Sequence, residues 1–199
     1  MALSPLATSS IAAVFTLALG TAVAATAATN DDGQDYTRDV QSYQIPEVTL
    51  RDRRDQPVAL RPLLNGDEPI VLQFIFTSCE TVCPTLTAMT AMAQEDLRAQ
   101  DEDTRIVSIS IDPNHDTPER MAAYAERFGA KGDWRFLTGS WEDIRTVLDA
   151  FNAMYEGGNK MYHQPFTFMR DAGKGSEWVR LNGLLGAELM AAEYSNAIQ

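Results

Sequence analysis

The sequence predicts an α/β fold with a central mixed sheet flanked by helices and an N-terminal hairpin. Three observations predict it. First, apolar runs of strand length alternate with segments whose apolar residues recur at helical spacing. Second, these segments are separated by glycine, proline and clusters of polar residues. Third, a hairpin pattern stands at each end of the alternation. Strands that alternate with helices indicate a sheet with parallel strands and helices on its faces. The 199 residues, 45% of them hydrophobic, suffice for one domain with a full core.

The first elements are a hairpin, a buried strand and a long helix. Residues 48–50 and 57–60 flank a polar stretch, which predicts the hairpin. Residues 70–76 form an apolar run short enough for a buried strand. Residues 84–100 carry apolar side chains at helical spacing and begin with Pro84, which the first turn of a helix tolerates because its missing N–H would have no partner there.

The alternation continues to the end of the chain. Residues 105–111 predict a strand. The next helix opens at Asp116, which we expect to cap it, with Pro118 at an early helical position, and it ends near Gly129. The remaining elements are predicted as a strand at 134–137, a helix from a capping signature at 140–143 to about Tyr155, a hairpin of 166–169 with 177–181, and a helix at 184–194.

The chain is acidic, with a formal net charge of -12 at pH 7. Nucleic-acid binding requires clustered lysine and arginine, so the charge argues against it. An acidic surface of this kind mainly keeps a protein soluble.

The N-terminal region is predicted to lie outside the domain. Residues 1–28 contain an uncharged stretch rich in Ala, Val and Leu, followed by small residues that fit an A-x-A cleavage pattern. We interpret them as a signal peptide or, alternatively, as an uncleaved membrane anchor, and therefore expect the protein in the periplasm. Residues 29–45 are polar and predict a flexible tether, which leaves residues 46–199 as the folded domain.

The only two cysteines, Cys79 and Cys83, lie four residues apart between the strand at 70–76 and the helix that begins near Pro84. A helix N-terminus carries partial positive charge and favours a thiolate over a thiol. At this spacing the two side chains are close enough to share a metal ion or, after modest adjustment, to close a disulfide. Two buried structural thiols remain the alternative.

Export would place this cysteine pair in an oxidising compartment, where an unassisted pair tends toward a disulfide. A metal-binding function would then require a thiol reductant as a partner that regenerates the thiolates.

A reactive dithiol that follows a strand and opens a helix resembles the site of a thioredoxin-like fold, although the spacing here is C-x-x-x-C-P. Further segments narrow the resemblance to the Sco/SenC family from about residue 45 to the C-terminus. They are Phe76-Thr77-Ser78-Cys79 with Cys83-Pro84, Ser110-Ile111-Asp112-Pro113-Asn114-His115-Asp116-Thr117-Pro118, Phe136-Leu137-Thr138-Gly139, and Lys160-Met161-Tyr162-His163-Gln164-Pro165-Phe166-Thr167-Phe168.

The resemblance implies a copper-binding protein that assists assembly of the CuA centre of cytochrome c oxidase, so the partner would be the CuA subunit or another copper-receiving protein. It implies Cys79, Cys83 and His163 as copper ligands and Asp112 as an accessory position near the metal. The chemistry agrees, because thiolates select Cu(I) and imidazole suits copper generally. The same ligand types would also accept Zn(II).

Two functions stay open. The first is a metallochaperone that hands a copper ion to a partner. The second is a thiol–disulfide oxidoreductase of the periplasm, with Cys79 and Cys83 as its catalytic residues and no obligatory copper. His163 separates them, because disulfide exchange does not require a histidine and the proposed copper site does.

Overall fold

Strand β4 (Ile70–Ile75) is the centre of the fold, and each of its residues is buried. The structure is a computed structural model that describes residues 36–198. β4 pairs in parallel with β5 (Arg105–Ser110) and antiparallel with β7 (Phe166–Arg170). The ends of β4 and β5 and the start of β7 therefore meet at one edge of the sheet, named here the cysteine edge.

The other strands of the described residues are β1 (Thr37–Ser42), β2 (Thr49–Asp52), β3 (Pro57–Ala59), β6 (Trp134–Thr138) and β8 (Glu177–Asn182). All eight strands form a single mixed sheet in the order β1-β8-β7-β4-β5-β6-β2-β3. This sheet and its helices confirm the predicted α/β class. The helices are α1 (Leu60–Leu64), α2 (Val82–Gln100), α3 (Pro118–Arg127), α4 (Trp141–Ala150) and α5 (Ala187–Ala197), with short 3-10 helices at Glu156–Gly158 and Lys160–Tyr162.

The two predicted hairpins are present. β2 pairs antiparallel with β3, and β7 pairs antiparallel with β8. β6 continues the parallel arrangement beside β5, so three successive strands end at the cysteine edge. This is the edge at which open sheets of parallel strands place their functional groups.

The structure differs from the sequence prediction in the segment assigned to a flexible tether at 29–45. Residues 29–35 lie outside the described residues, but residues 37–42 form β1, which pairs antiparallel with β8. The Tyr36 hydroxyl and the Arg38 guanidinium both bind the buried carboxylate of Glu193 on α5. The sequence gives little warning of this strand, because its one large apolar residue, Val40, is exposed and the strand is held by its backbone ladder.

Helix α4 ends at Ala150, before the predicted end near Tyr155. Asn152 adopts a positive φ of 50°, a left-handed conformation that often terminates helices. The N–H of Ala153 then donates to the carbonyl of Leu148 at 2.8 Å, which supplies a partner for one of the last helical carbonyls.

No helix in the part of the chain that the structure describes is long and apolar enough to cross a membrane. The predicted signal peptide or anchor at 1–28 lies outside the described residues.

Candidate metal centre

The two cysteines lie at the junction between β4 and α2, as predicted. Cys83 is fully buried inside the first turn of α2, and Cys79 lies in the preceding turn with 7% of its surface exposed. The N–H of Cys79 donates to the carbonyl of Phe76 at 3.2 Å, and the N–H of Cys83 donates to Cys79 Sγ at 3.3 Å. The start of α2 therefore directs a backbone donor at the Cys79 sulfur.

The two thiols have different acidities. Burial alone would raise the pKa of Cys79, but hydrogen bonds from the N–H groups of Cys83 and Thr81 and from the Cys83 thiol outweigh it and lower that pKa. Burial raises the pKa of Cys83 strongly, and its hydrogen bond to Cys79 and the charge on that sulfur raise it further. The pair thus favours a thiolate at Cys79 and a thiol at Cys83 that donates to it.

His163 stands at the same edge of the sheet, three residues before β7 begins, and is 6% exposed. Its Nε2 lies 2.9 Å from the carbonyl oxygen of Phe74. A carbonyl only accepts, so Nε2 carries the proton and Nδ1 keeps the lone pair. Burial lowers the pKa of His163, while the bond to Phe74 opposes that shift. A neutral imidazole with one free nitrogen is the form that binds a metal.

Phe76 contacts both His163 and the cysteine segment, through its ring and its backbone respectively. Its ring meets the imidazole edge to face with centroids 6.1 Å apart, and its carbonyl accepts the N–H of Cys79. Among the described residues no three His, Cys, Asp or Glu side chains are close enough to hold a metal ion. The structure brings Cys79 and Cys83 together at the cysteine edge, but it does not group them with His163, which contacts the Phe76 ring.

Asp112, the predicted accessory residue, follows β5 at the cysteine edge, but its carboxylate is engaged. It forms an ion pair with Lys160, whose ammonium also lies 5.2 Å from the centroid of the Phe76 ring. Lys160 begins the 3-10 helix that precedes His163. The sequence gives no periodic or motif signal for this contact, because the partners are 48 positions apart.

Asp116 holds the cysteine segment, a role that the sequence analysis missed. Its fully buried carboxylate accepts hydrogen bonds from the N–H and hydroxyl of Thr77 and from the hydroxyl of Ser110, the last at 2.6 Å. The expected helix-capping role belongs to Thr117, whose side chain accepts the N–H of Arg120 at 3.4 Å. The available signal was Pro118 at the first helical position, which makes Thr117 the cap and leaves Asp116 free for another role.

The fold and the site define a class: a thioredoxin-like α/β protein with an activated dithiol at the start of a helix. The family model described as SCO1/SenC matches residues 42–180, so the chain belongs to the SCO1/SenC family. Both the predicted fold and the predicted family are therefore confirmed.

Individual relatives agree with this assignment. The chain is 34% identical over 138 residues to the SCO1 protein homolog of Bacillus subtilis, covering 66% of this chain and 70% of that protein. It is 36% identical over 111 residues to the SCO2-like protein RC0895 of Rickettsia conorii, covering 51% of this chain and 53% of that protein. The match to the second relative thus spans about half of its length.

Solved structures show the same fold. BsSco, described as a member of the Sco family of cytochrome c oxidase assembly proteins with a disulfide switch, superposes with a TM-score of 0.65 at 28% identity, covering 80% of this chain and 95% of that chain. Arabidopsis thaliana ScoI, solved with copper bound, gives a TM-score of 0.63 at 21% identity, covering 75% of this chain and 94% of that chain.

We predict that Cys79 is alkylated at lower pH than Cys83. The thiolate is the reactive form, so a lowered pKa moves the rise in rate to lower pH and a raised pKa moves it higher. Iodoacetamide rates measured across pH on Cys83→Ser and Cys79→Ser, each with one thiol left, will give the two profiles. Superimposable profiles would contradict the inequality of the thiols.

We predict that Asp116→Asn lowers the free energy of unfolding by about 3 kcal/mol, because an amide cannot accept all of the donors that surround this buried carboxylate. Urea unfolding will measure the loss. Asp96→Asn, which changes an exposed aspartate on α2, is the matched control and should leave the midpoint nearly unchanged. An equal loss of unfolding free energy in the two variants would contradict the structural role of Asp116.

Proposed function

We propose that this chain is a copper-binding metallochaperone that holds copper through Cys79, Cys83 and His163. It delivers the ion to a copper-receiving protein, and the CuA subunit of cytochrome c oxidase is the proposed recipient. The observation that carries this proposal is the hydrogen-bonded Cys79 sulfur at the start of α2, whose lowered pKa supplies a soft thiolate ligand.

The donor set suits copper. Two thiolates favour Cu(I), and the neutral imidazole of His163 keeps Nδ1 free because its Nε2 is committed to Phe74. Binding by Cys83 requires its proton to be released, since burial holds this thiol protonated in the metal-free protein. Copper uptake should therefore release protons and be favoured by rising pH.

His163 and the cysteines must also approach one another, because Phe76 lies against the imidazole and no three-ligand cluster exists in the described residues. Movement of the segment that carries His163 would complete the set. A three-coordinate site leaves a position for a ligand of the recipient, which transfer of an ion between two proteins requires.

The family supports the assignment of the recipient. BsSco belongs to a family described by cytochrome c oxidase assembly, and the Arabidopsis relative has been solved with copper bound. The leader at 1–28, read as a signal peptide or membrane anchor, supports a periplasmic location. In that compartment a thiol reductant would keep the cysteines ready for copper.

A second function, thiol–disulfide exchange without obligatory copper, is favoured by the inequality of the two thiols. Cys79 has the lowered pKa of an attacking cysteine, and Cys83 beside it is placed to resolve a mixed disulfide. In that case the protein would act as an oxidoreductase, and His163 would have no part in the chemistry.

We predict that the reduced domain binds one copper ion per chain and that Cys79→Ala with Cys83→Ala abolishes binding. His163→Ala should weaken Cu(II) binding by at least about tenfold and Cu(I) binding less, because two thiolates can hold Cu(I) without it. Competition titrations with chromophoric chelators, together with the absorption and EPR spectra of the Cu(II) form, will measure both.

His115→Ala is the matched control, because His115 is the only other histidine and its Nδ1 contacts the Arg120 guanidinium. Copper binding that survives loss of both cysteines would end the proposal. An unchanged Cu(II) affinity in His163→Ala would favour the oxidoreductase instead.

We predict that Cys79 and Cys83 form a reversible disulfide under air and that the oxidised protein no longer binds copper at this site. Cys79 lies in the turn just before α2 and Cys83 in its first turn, and the Cys79 sulfur already contacts the N–H of Cys83. Thiol trapping before and after dithiothreitol, followed by mass spectrometry, will count the free thiols. Two free thiols after prolonged metal-free oxidation would be the contrary result.

A further inference from the structure

Lys160 contacts two parts of the candidate site besides the cysteine pair, namely Asp112 and the segment that carries His163. Its ammonium forms an ion pair with Asp112 and lies over the Phe76 ring. Its carbonyl accepts the N–H of His163 at 3.2 Å. One residue therefore contacts the accessory carboxylate, the aromatic ring that faces the imidazole, and the backbone of the proposed ligand.

The ion pair between Lys160 and Asp112 is partly shielded from water and lies beside a cavity. The Asp112 side chain is only 15% exposed and that of Lys160 33%, so water weakens their attraction less than on an open surface. On the other side the pair lines a cavity of 510 Å³ that also includes Trp141 and Tyr155. This cavity leaves open space beside the lysine side chain.

Two glycines precede the segment that carries Lys160. Gly157 and Gly158 have φ values of 63° and 69°, a left-handed conformation that glycine adopts at little cost. They precede the 3-10 helix that holds Lys160 and leads into His163. The other contacts of this segment with the sheet edge include the bond from His163 Nε2 to Phe74 and the packing of the imidazole on the Phe76 ring.

We propose that Lys160 is a positioning residue that acts as a latch, holding the His163 segment against Phe76 and keeping the Asp112 carboxylate away from the metal. While the latch is closed, Asp112 neutralises an ammonium and the site offers copper only the two cysteine sulfurs. When Lys160 leaves, Asp112 becomes a free hard oxygen donor, which Cu(II) accepts more readily than Cu(I). Lys160 thereby biases the site toward Cu(I). The copper part of this proposal rests on the proposed function.

The test uses Lys160→Met, which removes the ammonium and keeps an unbranched side chain, and Lys160→Gln as a second variant. Lys131→Met is the matched control. This substitution also removes one ammonium, but from an exposed ion pair with Glu95 on α2, away from the cysteine edge. The metal-free readout is amide hydrogen exchange at Tyr162 and His163, whose N–H groups donate to Asn159 and Lys160. We expect at least about fivefold faster exchange in both Lys160 variants and no change in the control.

The copper readout is the ratio of Cu(II) to Cu(I) affinity. We expect Lys160→Met to raise this ratio about fivefold or more and Lys131→Met to change it less than twofold. In an Asp112→Asn background the effect of Lys160→Met should fall below twofold, because no carboxylate remains to be released. A purely structural role for Lys160 would weaken both ions alike and leave the ratio unchanged.

The outcomes separate this proposal from the copper function. If the wild-type protein binds no copper at the cysteines, the proposed function fails and hydrogen exchange alone decides whether Lys160 holds the segment. Exchange in Lys160→Met equal to that in Lys131→Met overturns the latch. A changed ratio that persists in Asp112→Asn overturns the part assigned to the carboxylate.

Discussion

The carboxylate of Asp116 is the constraint on which the cysteine edge depends. It is fully buried, and it ties the segment after β4 to the end of β5 and the start of α3 through Thr77 and Ser110. A buried charge of this kind is tolerated only when donors surround it. Because Thr77 is fixed, the chain reaches Cys79 at a set position, and the first N–H groups of α2 can then be aimed at its sulfur.

This placement explains why the pKa of Cys79 is lowered and that of Cys83 is raised, although the two side chains are chemically identical. Cys79 occupies the last turn before the helix, where donors converge on it, whereas Cys83 lies inside the helix with no exposed surface. The same asymmetry serves metal binding and disulfide exchange, since both begin with one thiolate. The two chemistries therefore share a starting state, and His163, whose ring contacts Phe76, is what distinguishes them.

The sequence predicted those parts of the structure that local pattern encodes. β4, α2 and both hairpins follow from apolar periodicity and turn residues, and Cys79 with Cys83 follows from spacing. β1 could not be predicted in this way, because its polar residues are held by β8 and by Glu193 far along the chain. The ion pair between Asp112 and Lys160 could not be predicted for the same reason, because its partners are far apart in the chain. The role of Asp116 could have been inferred, because Thr117 caps α3 and Asp116 is therefore not needed as the cap.

The pairing of β1 with β8 also fixes the edge of the sheet at which the described residues begin. Thr37 and Phe166 both pair with Asn182, so β1 starts at the cysteine edge, three strand spacings or about 14 Å from β4. Ala197, at the end of α5, lines a cavity with Asp171 and Lys174 at the opposite edge. The described residues therefore begin at the cysteine edge and end at the opposite edge, so an attachment made at Tyr36 would lie on the side of the cysteines, whereas one made at Ala197 would lie on the side away from them.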